Sequence, residues 1–285
     1  MAHEHISRRT FLATAAAVPA LAARPASRLK IGATDWNLDL TCQVEAIPLA
    51  KKLGFDGVQV SIGREVVDGK MPLDNSALLA QYRAESKNRR MPIDGTCLDR
   101  LHVDCLKDGG NAPRRVFDGI RITRALGVRV LLLPFFGKCE LAPADFNRTA
   151  DALRELAPEA EKAGVVLGLE NTLSAEENVR IMDRTKSPAV LVYYDVGNST
   201  HWGHDVLQEI PWLGKNRICQ FHLKDNPHYL GEGPIDFTKV LQAIRNIGFD
   251  GYANLETDSP SKSIESDMRR NLAFIRGILK QEARA

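Results

Sequence analysis

The stretch ICQFHLKDNPHYLGEGPIDF, residues 218–237, begins as a strand and ends in glycine-rich turn material. With the two-residue period of a strand, Gln220, His222 and Lys224 point to one face and the apolar residues between them point to the other. Three polar or ionisable side chains are unusual on a strand face that should be buried. This face therefore predicts a cavity with a functional site.

Strand-like runs recur along the rest of the chain. They begin near residues 30, 57, 92, 128, 165, 190, 218 and 251. Helical periodicity fills the intervals, and we expect helices to end at Gly54, Gly127, Gly164 and Gly248, because glycine readily follows the last helical turn. Eight strands that alternate with helices predict an α/β fold, one (β/α)8 TIM barrel, as a single domain over residues 29–280.

The strand faces favour this closed barrel over a doubly wound open sheet. In GYANLE, residues 251–256, Asn254 and Glu256 share one face, and in VVLGLE, residues 165–170, Glu170 ends the inward face. An open sheet would have fewer strands and no polar inward faces. The opposite faces carry apolar or small residues, as expected where strands pack against outer helices.

Four consecutive strand ends carry metal-ligating residue types: Glu170, Asp195, His222 and Glu256. In a barrel these ends surround one mouth, where active sites are built. Three carboxylates there would repel one another unless a cation lies between them. Carboxylate and imidazole together suit one divalent ion, with Mn²⁺ favoured and Mg²⁺, Zn²⁺ or Co²⁺ as alternatives. Lys224, in phase with His222, is a candidate to polarise a substrate oxygen or to form a salt bridge with a carboxylate.

Five short strings carry a resemblance to a known family: LEN at 169–171, YDVGN at 194–198, HLKD at 222–225, GEGPIDF at 231–237 and LET at 255–257. Their order and spacing resemble the xylose isomerase-like barrel superfamily. Within it they are most similar to the sugar phosphate isomerase/epimerase group, which includes tagatose epimerases, hydroxypyruvate isomerase and inosose dehydratase. The resemblance implies that Glu170, Asp195, His222 and Glu256 bind one divalent ion. It also implies that Glu170 and Glu256 form the catalytic acid/base pair.

Two positions depart from this family. Many of its epimerases have histidine three residues after the aspartate of the sixth strand, where this chain has Asn198, with His201 three residues further on. They also commonly have arginine six residues after the histidine of the seventh strand, where this chain has His228. We treat Asn198, His201 and His228 as candidate substrate contacts, together with His102 from the loop after the third strand. The alternative for His201 is a structural role at a helix start.

The predicted function is that of a metal-dependent sugar isomerase or epimerase. A metal chelated by a carbonyl and a neighbouring hydroxyl stabilises the enediolate that forms when a proton is removed. Expulsion of a β-substituent from the same intermediate would instead make the protein a lyase or dehydratase, acting on a keto-sugar, an inosose or a dehydroshikimate-like compound. A non-catalytic sugar-binding protein is a third alternative. The GEGP turn at 231–234 is a poor phosphate site, so we favour a non-phosphorylated sugar or polyol as the small-molecule partner.

The amino terminus predicts export. SRRTFLATAAAVPALAA, residues 7–23, places Arg8 and Arg9 before a short apolar run and small residues. This pattern is typical of a twin-arginine signal over residues 1–23, and predicts a periplasmic or secreted protein that engages the twin-arginine export machinery. The apolar run is too short to span a bilayer, so we expect no stable membrane insertion.

Charge and cysteine content narrow the possible partners. The chain has 38 basic and 36 acidic residues, a net charge of +2, which provides no basic surface for nucleic acid. The DNA-repair branch of the superfamily is therefore not favoured. The five cysteines lack CxxC spacing, and we expect buried free thiols. Whether the chain forms a homo-oligomer is left open by the sequence.

Overall fold

The computed structural model describes residues 29–282, and the predicted export signal at residues 1–23 lies outside them. Eight strands form the wall of a barrel: Lys30–Thr34 (β1), Gly57–Ser61 (β2), Ile93–Cys97 (β3), Val130–Pro134 (β4), Val166–Glu170 (β5), Val190–Asp195 (β6), Ile218–Leu223 (β7) and Tyr252–Leu255 (β8). Each strand pairs in parallel with the next, and β8 pairs with β1, so the sheet is closed. The prediction of a single-domain (β/α)8 barrel is confirmed.

Helices cover the outside of this barrel. Within the described part of the chain they are Ala46–Leu53 (α1), Ser76–Arg89 (α2), Ala112–Leu126 (α3), Phe146–Ala163 (α4), Ala175–Thr185 (α5), Val196–His201 (α6), Val206–Leu213 (α7), Phe237–Asn246 (α8) and Ile264–Glu282 (α9). Two helices, α6 and α7, connect β6 to β7. None of the helices between residues 29 and 282 is long and apolar enough to cross a bilayer.

Glycine ends three of the helices where the sequence predicts it. Gly54, Gly127 and Gly164 follow α1, α3 and α4 with φ of 96°, 77° and 68°. The left-handed conformation turns the chain back into the next strand, and it strains residues that have a Cβ atom. Gly248 has the same conformation but lies beyond α8, which ends at Asn246 with Ile247 as its cap.

A buried polar layer fills the barrel below its mouth. Asp94 Oδ1 accepts hydrogen bonds from Gln220 Nε2 and Asn254 Nδ2, both at 2.9 Å, and Tyr193 donates to Gln59 Oε1 at 3.1 Å. These five side chains come from strands β2, β3, β6, β7 and β8. Burial raises the pKa of Asp94 to about 7. Gln220, the first polar residue of the β7 face, therefore belongs to this layer rather than to the mouth.

The prediction of free thiols is wrong for two of the five cysteines. Cys105 and Cys139 form a disulfide, while Cys42, Cys97 and Cys219 are free. The two bonded cysteines lie 34 positions apart, in the segments that follow β3 and β4. Because β3 and β4 are neighbours in the barrel, these segments meet at the mouth, which their spacing in the sequence does not reveal.

Candidate metal centre and substrate cavity

The four predicted ligand residues meet at the carboxyl ends of the last four strands. Glu170 and Asp195 end β5 and β6, His222 lies one residue before the end of β7, and Glu256 follows β8. One potential ligand atom from each residue lies within 4.8 Å of those of the others. Glu170, Asp195 and His222 are buried and Glu256 is partly exposed. Strand periodicity aims all four at the axis, so the arrangement follows from the backbone alone.

His222 lies at the centre of this cluster. Its Nδ1 is 2.9 Å from Glu170, 3.4 Å from Glu256 and 3.6 Å from Asp195. Its Nε2 is 2.8 Å from Gln59 Oε1, an oxygen that only accepts hydrogen bonds. Nε2 therefore carries a proton in either charge state of the ring, and Nδ1 is the nitrogen that faces the three carboxylates. Gln59 is a site residue that the sequence analysis missed.

The pKa values show how strongly the crowded carboxylates attract positive charge. Burial, reinforced by the charge of Glu256, raises the pKa of Glu170 to about 7, although His222 opposes this shift. Burial disfavours protonated His222, but Glu256 and Glu170 outweigh it and raise its pKa to about 10. Burial likewise opposes ionisation of Asp195, yet Lys224 and His222 outweigh it and lower the pKa of Asp195. The cluster thus favours any cation placed within it.

One buried oxygen of the cluster is already paired with a cation. Asp195 Oδ2 lies 2.7 Å from Nζ of Lys224. A desolvated carboxylate oxygen is costly unless a cation contacts it, so this oxygen is placed to accept a cation. Three carboxylates and one imidazole match the hard and borderline ligands that Mn²⁺, Zn²⁺, Mg²⁺ and Co²⁺ accept. The residues present therefore fit a divalent ion.

Asp195 also forms the turn that starts the next helix. Its Oδ1 accepts a hydrogen bond from the backbone N–H of Asn198 at 2.8 Å and so caps α6. Oδ2 points into the carboxylate cluster. One side chain thus starts the helix that bears Asn198 and contributes to the cluster.

Two further side chains hold Glu256. Trp36, which follows β1, donates from Nε1 to Glu256 Oε1 at 2.9 Å, and its ring packs edge-on against His222. Lys224 donates from Nζ to Glu256 Oε2. The ion-pair alternative for Lys224 is therefore present, and the same side chain also reaches the cavity. Trp36 was not singled out from the sequence because its partner lies 220 residues away.

The cluster opens into a cavity of about 660 Å³. Its lining residues are Trp36, Thr41, Arg64, Cys97, Asp99, His102, Pro134, Phe136, Glu170, Asn198, Lys224 and Glu256. A cavity of this size at the mouth of a barrel is where small molecules bind.

Three of the five candidate substrate contacts line this cavity. They are Asn198, Lys224 and His102. His201 and His228 are exposed and do not belong to the cavity wall. His201 is the last residue of α6, and His228 lies in the loop after β7.

A family model described as xylose isomerase-like TIM barrel matches residues 47–278 of this chain. Among characterised proteins, the chain is 29% identical over 215 residues to 2-epi-5-epi-valiolone 7-phosphate 2-epimerase from an Actinoplanes species, covering 72% of this chain and 76% of that protein. It is 27% identical over 239 residues to an L-ribulose-5-phosphate 3-epimerase from Escherichia coli, covering 74% of this chain and 80% of that protein.

Solved structures of sugar epimerases share the fold. D-psicose 3-epimerase from Clostridium cellulolyticum, with D-tagatose, superimposes with a TM-score of 0.73 at 18% identity, covering 88% of this chain and 99% of that one. The 3-keto-D-glucoside 4-epimerase from E. coli gives a TM-score of 0.69 at 17% identity, covering 87% and 99%.

Proposed function

This chain belongs to the xylose isomerase-like TIM barrel family, and on that premise we propose that it is a divalent-metal-dependent epimerase or isomerase of a small sugar or polyol ketone. Its relatives are sugar epimerases, which supports an enzyme of the isomerase class. The observation that carries the proposal is the buried cluster of three carboxylates around the Nδ1 of His222. We favour Mn²⁺ as the ion.

The proposed chemistry is removal and return of a proton on a carbon next to a carbonyl. A divalent ion bound by Glu170, Asp195, His222 and Glu256 would supply the electrophile that polarises the carbonyl. Glu170 and Glu256 act as the pair that takes the proton from one side and returns it from the other. Trp36 fixes one oxygen of Glu256 by its hydrogen bond, so this carboxylate is oriented before substrate binds.

Asn198 and Lys224 have the positions and donors to bind substrate hydroxyl or carbonyl oxygens. Both line the cavity beside the carboxylate cluster. Asn198 is presented by the first turn of α6, and Lys224 extends the inward face of β7 beyond its last residue. An ammonium group and a carboxamide together recognise oxygens of a ketose without requiring a charged substrate.

Metal content and proton exchange test the proposal directly. We expect purified wild-type protein loaded with Mn²⁺ to retain one ion per chain by mass spectrometry and to exchange ketose protons with D₂O. Glu256→Gln should lose most of the ion and the exchange. Asp236→Asn, which changes the exposed cap of α8, is the matched control and should behave as wild type. Failure of wild type to retain Mn²⁺, Zn²⁺ or Mg²⁺ would contradict the proposal.

The products separate isomerisation from the lyase alternative. An isomerase or epimerase gives products of unchanged mass with deuterium on carbon. A lyase releases water or an alcohol and leaves a conjugated double bond that absorbs in the ultraviolet. Formation of that product alone would replace the isomerase assignment with a lyase.

We further propose that the chain is exported by the twin-arginine route. The twin arginine of residues 8 and 9 supports this, and so does the disulfide between Cys105 and Cys139, since disulfides persist in oxidising compartments. Fractionation of cells that express the full chain should find the protein outside the cytoplasm. Replacement of both arginines by lysine should retain it inside, and equal export of both forms would contradict the route.

A further inference from the structure

The part of the cavity that faces the carboxylate cluster has a chemistry of its own. We call it the distal wall and define it by Arg64, Asp99, His102 and Phe136. Arg64 follows β2, Asp99 and His102 follow β3, and Phe136 follows β4. In the closed strand order, β2 to β4 lie across the barrel from β6 to β8, so the distal wall faces the metal centre across the mouth.

The cavity has room beyond one sugar ring. Each of the twelve non-hydrogen atoms of a hexose takes up less than the roughly 30 Å³ of a water molecule in the liquid, so a hexose fills less than about 360 Å³. The cavity measures about 660 Å³ and opens to solvent. At least roughly 300 Å³ therefore remains beside a hexose. For a ring at the metal centre, this space lies towards the distal wall, which lines the opposite side of the mouth.

The distal wall offers an apolar face bordered by polar groups. The rings of His102 and Phe136 stack with centroids 6.1 Å apart and an interplanar angle of 25°. Burial, and then the charge of Arg64, lower the pKa of His102, so its neutral ring both donates and accepts hydrogen bonds. Arg64 lines the same surface, and its guanidinium provides further donors. A sugar ring has the matching surface, with C–H groups on its faces and hydroxyls around its edge.

An anionic group such as phosphate fits the distal wall less well. The carboxylate of Asp99, which accepts a hydrogen bond from Ser61, lines the same surface and would repel an anion. His102 adds no positive charge when it is neutral, which leaves Arg64 as the cation of the wall. Phosphate sites in barrels instead combine several backbone N–H groups or cations.

The distal wall is fixed before any ligand arrives. The disulfide between Cys105 and Cys139 ties the loop that bears His102 to the loop that bears Phe136. Lys107 strengthens the tie by donating from Nζ to the backbone oxygen of Glu140. A preformed surface loses little conformational entropy on binding, so such a cross-link favours recognition.

We propose that the distal wall is a binding subsite for the second sugar ring of a disaccharide or glycoside whose keto-sugar ring lies at the metal centre. This inference rests on the proposed function and names its substrate class. Phe136 and His102 contact the face of the second ring, and Arg64 and Asp99 bind its hydroxyls. Specificity for two-ring substrates thus resides in the loops after β2, β3 and β4.

Calorimetry with two ketoses on the full Mn²⁺-loaded protein tests this subsite. D-fructose provides one ring, and isomaltulose provides the same ketose unit with glucose attached at O6. We expect isomaltulose to bind at least tenfold more tightly than fructose in wild type. Phe136→Leu should weaken the binding of isomaltulose at least fivefold and change the affinity for fructose by less than twofold. His102→Gln tests the stack from its other ring, should Phe136→Leu impair folding. Trp202→Leu, an exposed tryptophan outside the cavity, is the control and should change neither affinity.

Several outcomes would overturn the subsite. They are equal affinity of wild type for the two sugars, equal weakening of both by Phe136→Leu, or an effect of Trp202→Leu as large as that of Phe136→Leu. Proton exchange of fructose in D₂O separates this failure from that of the proposed function. Exchange without an isomaltulose advantage overturns the subsite alone. Absence of exchange and of binding for both sugars overturns the proposed function and the subsite with it.

Discussion

The two halves of the barrel mouth are built in different ways. In the half formed by β5 to β8, charged side chains stand on strand ends and converge within 4.8 Å. In the half formed by β2 to β4, the distal wall is carried by loops, and a disulfide and a hydrogen bond join the loops after β3 and β4. At a strand end, the hydrogen bonds of the sheet fix the position of a side chain. In a loop, a cross-link is needed to fix a side chain equally well. In the function that we propose, this difference assigns proton transfer to the strand half and substrate selection to the loop half.

Glu170→Gln tests the strand half and has the largest expected effect. The amide keeps the shape of the side chain but accepts no proton, so exchange at saturating Mn²⁺ should fall roughly 100- to 10,000-fold. Glu140→Gln makes the same change in the loop half, where Glu140 Oε1 accepts a hydrogen bond from Thr172, and should retain activity within a few-fold. A loss of less than tenfold for Glu170→Gln would remove it from the acid/base pair.

Asp94→Asn tests the polar layer that connects the halves, because Asp94 on β3 binds Gln220 on β7 and Asn254 on β8. Burial raises its folded pKa from 3.8 to about 7. Its contribution to stability is therefore present below about pH 4 and lost as pH rises towards 7, by up to about 4 kcal/mol. Urea unfolding of metal-free protein from pH 4 to 8 should show wild type losing stability relative to Asp94→Asn. A difference in the free energy of unfolding that stays constant across this pH range would contradict the raised pKa of Asp94.

The disulfide tests the loop half by itself. Replacement of Cys105 and Cys139 by serine should lower the free energy of unfolding by about 2–4 kcal/mol, because the bond restricts the unfolded chain. Mn²⁺ affinity should stay within twofold, since the carboxylate cluster lies on strands. Cys219→Ser, at a free cysteine outside the cavity, is the control. A large fall in Mn²⁺ affinity in the double variant would show that the halves are not independent.

The smallest effects are expected at the two exposed histidines. His201→Ala and His228→Ala should change KM for proton exchange by less than about twofold, because neither side chain lines the cavity. Asn198→Ala, one turn earlier in α6 than His201, should raise KM by about fivefold through loss of one hydrogen bond of about 1 kcal/mol. A larger effect of His201→Ala than of Asn198→Ala would reverse this assignment.

Strand periodicity explains how much of the molecule could be predicted. It predicts the barrel. It also predicts that Glu170, Asp195 and Glu256 lie at the same mouth of the barrel, because each is the last inward-facing residue of its strand segment. Gln59 could not be predicted as a site residue, because nothing in the strand GVQVS distinguishes it from a structural glutamine. Its partner His222 lies 163 positions away in the sequence.

Loop geometry explains what could not be predicted. Long segments follow β2 and β3 before the next helix begins, and their course depends on contacts between loops. The Cys105–Cys139 bond is such a contact. His201 was selected for its spacing from Asp195, yet three residues of helix move it about 4.5 Å along the axis of α6 relative to Asn198.

The disulfide also bears on how such a protein can diverge. The disulfide joins the loops after β3 and β4, so a change in one loop affects the position of the other. The two loops are therefore expected to change together. Insertion or replacement within these loops would reshape the distal wall while the four strand ends opposite stay in place. If the proposed roles hold, substitutions in these loops would change the substrate range and leave the residues of proton transfer unchanged.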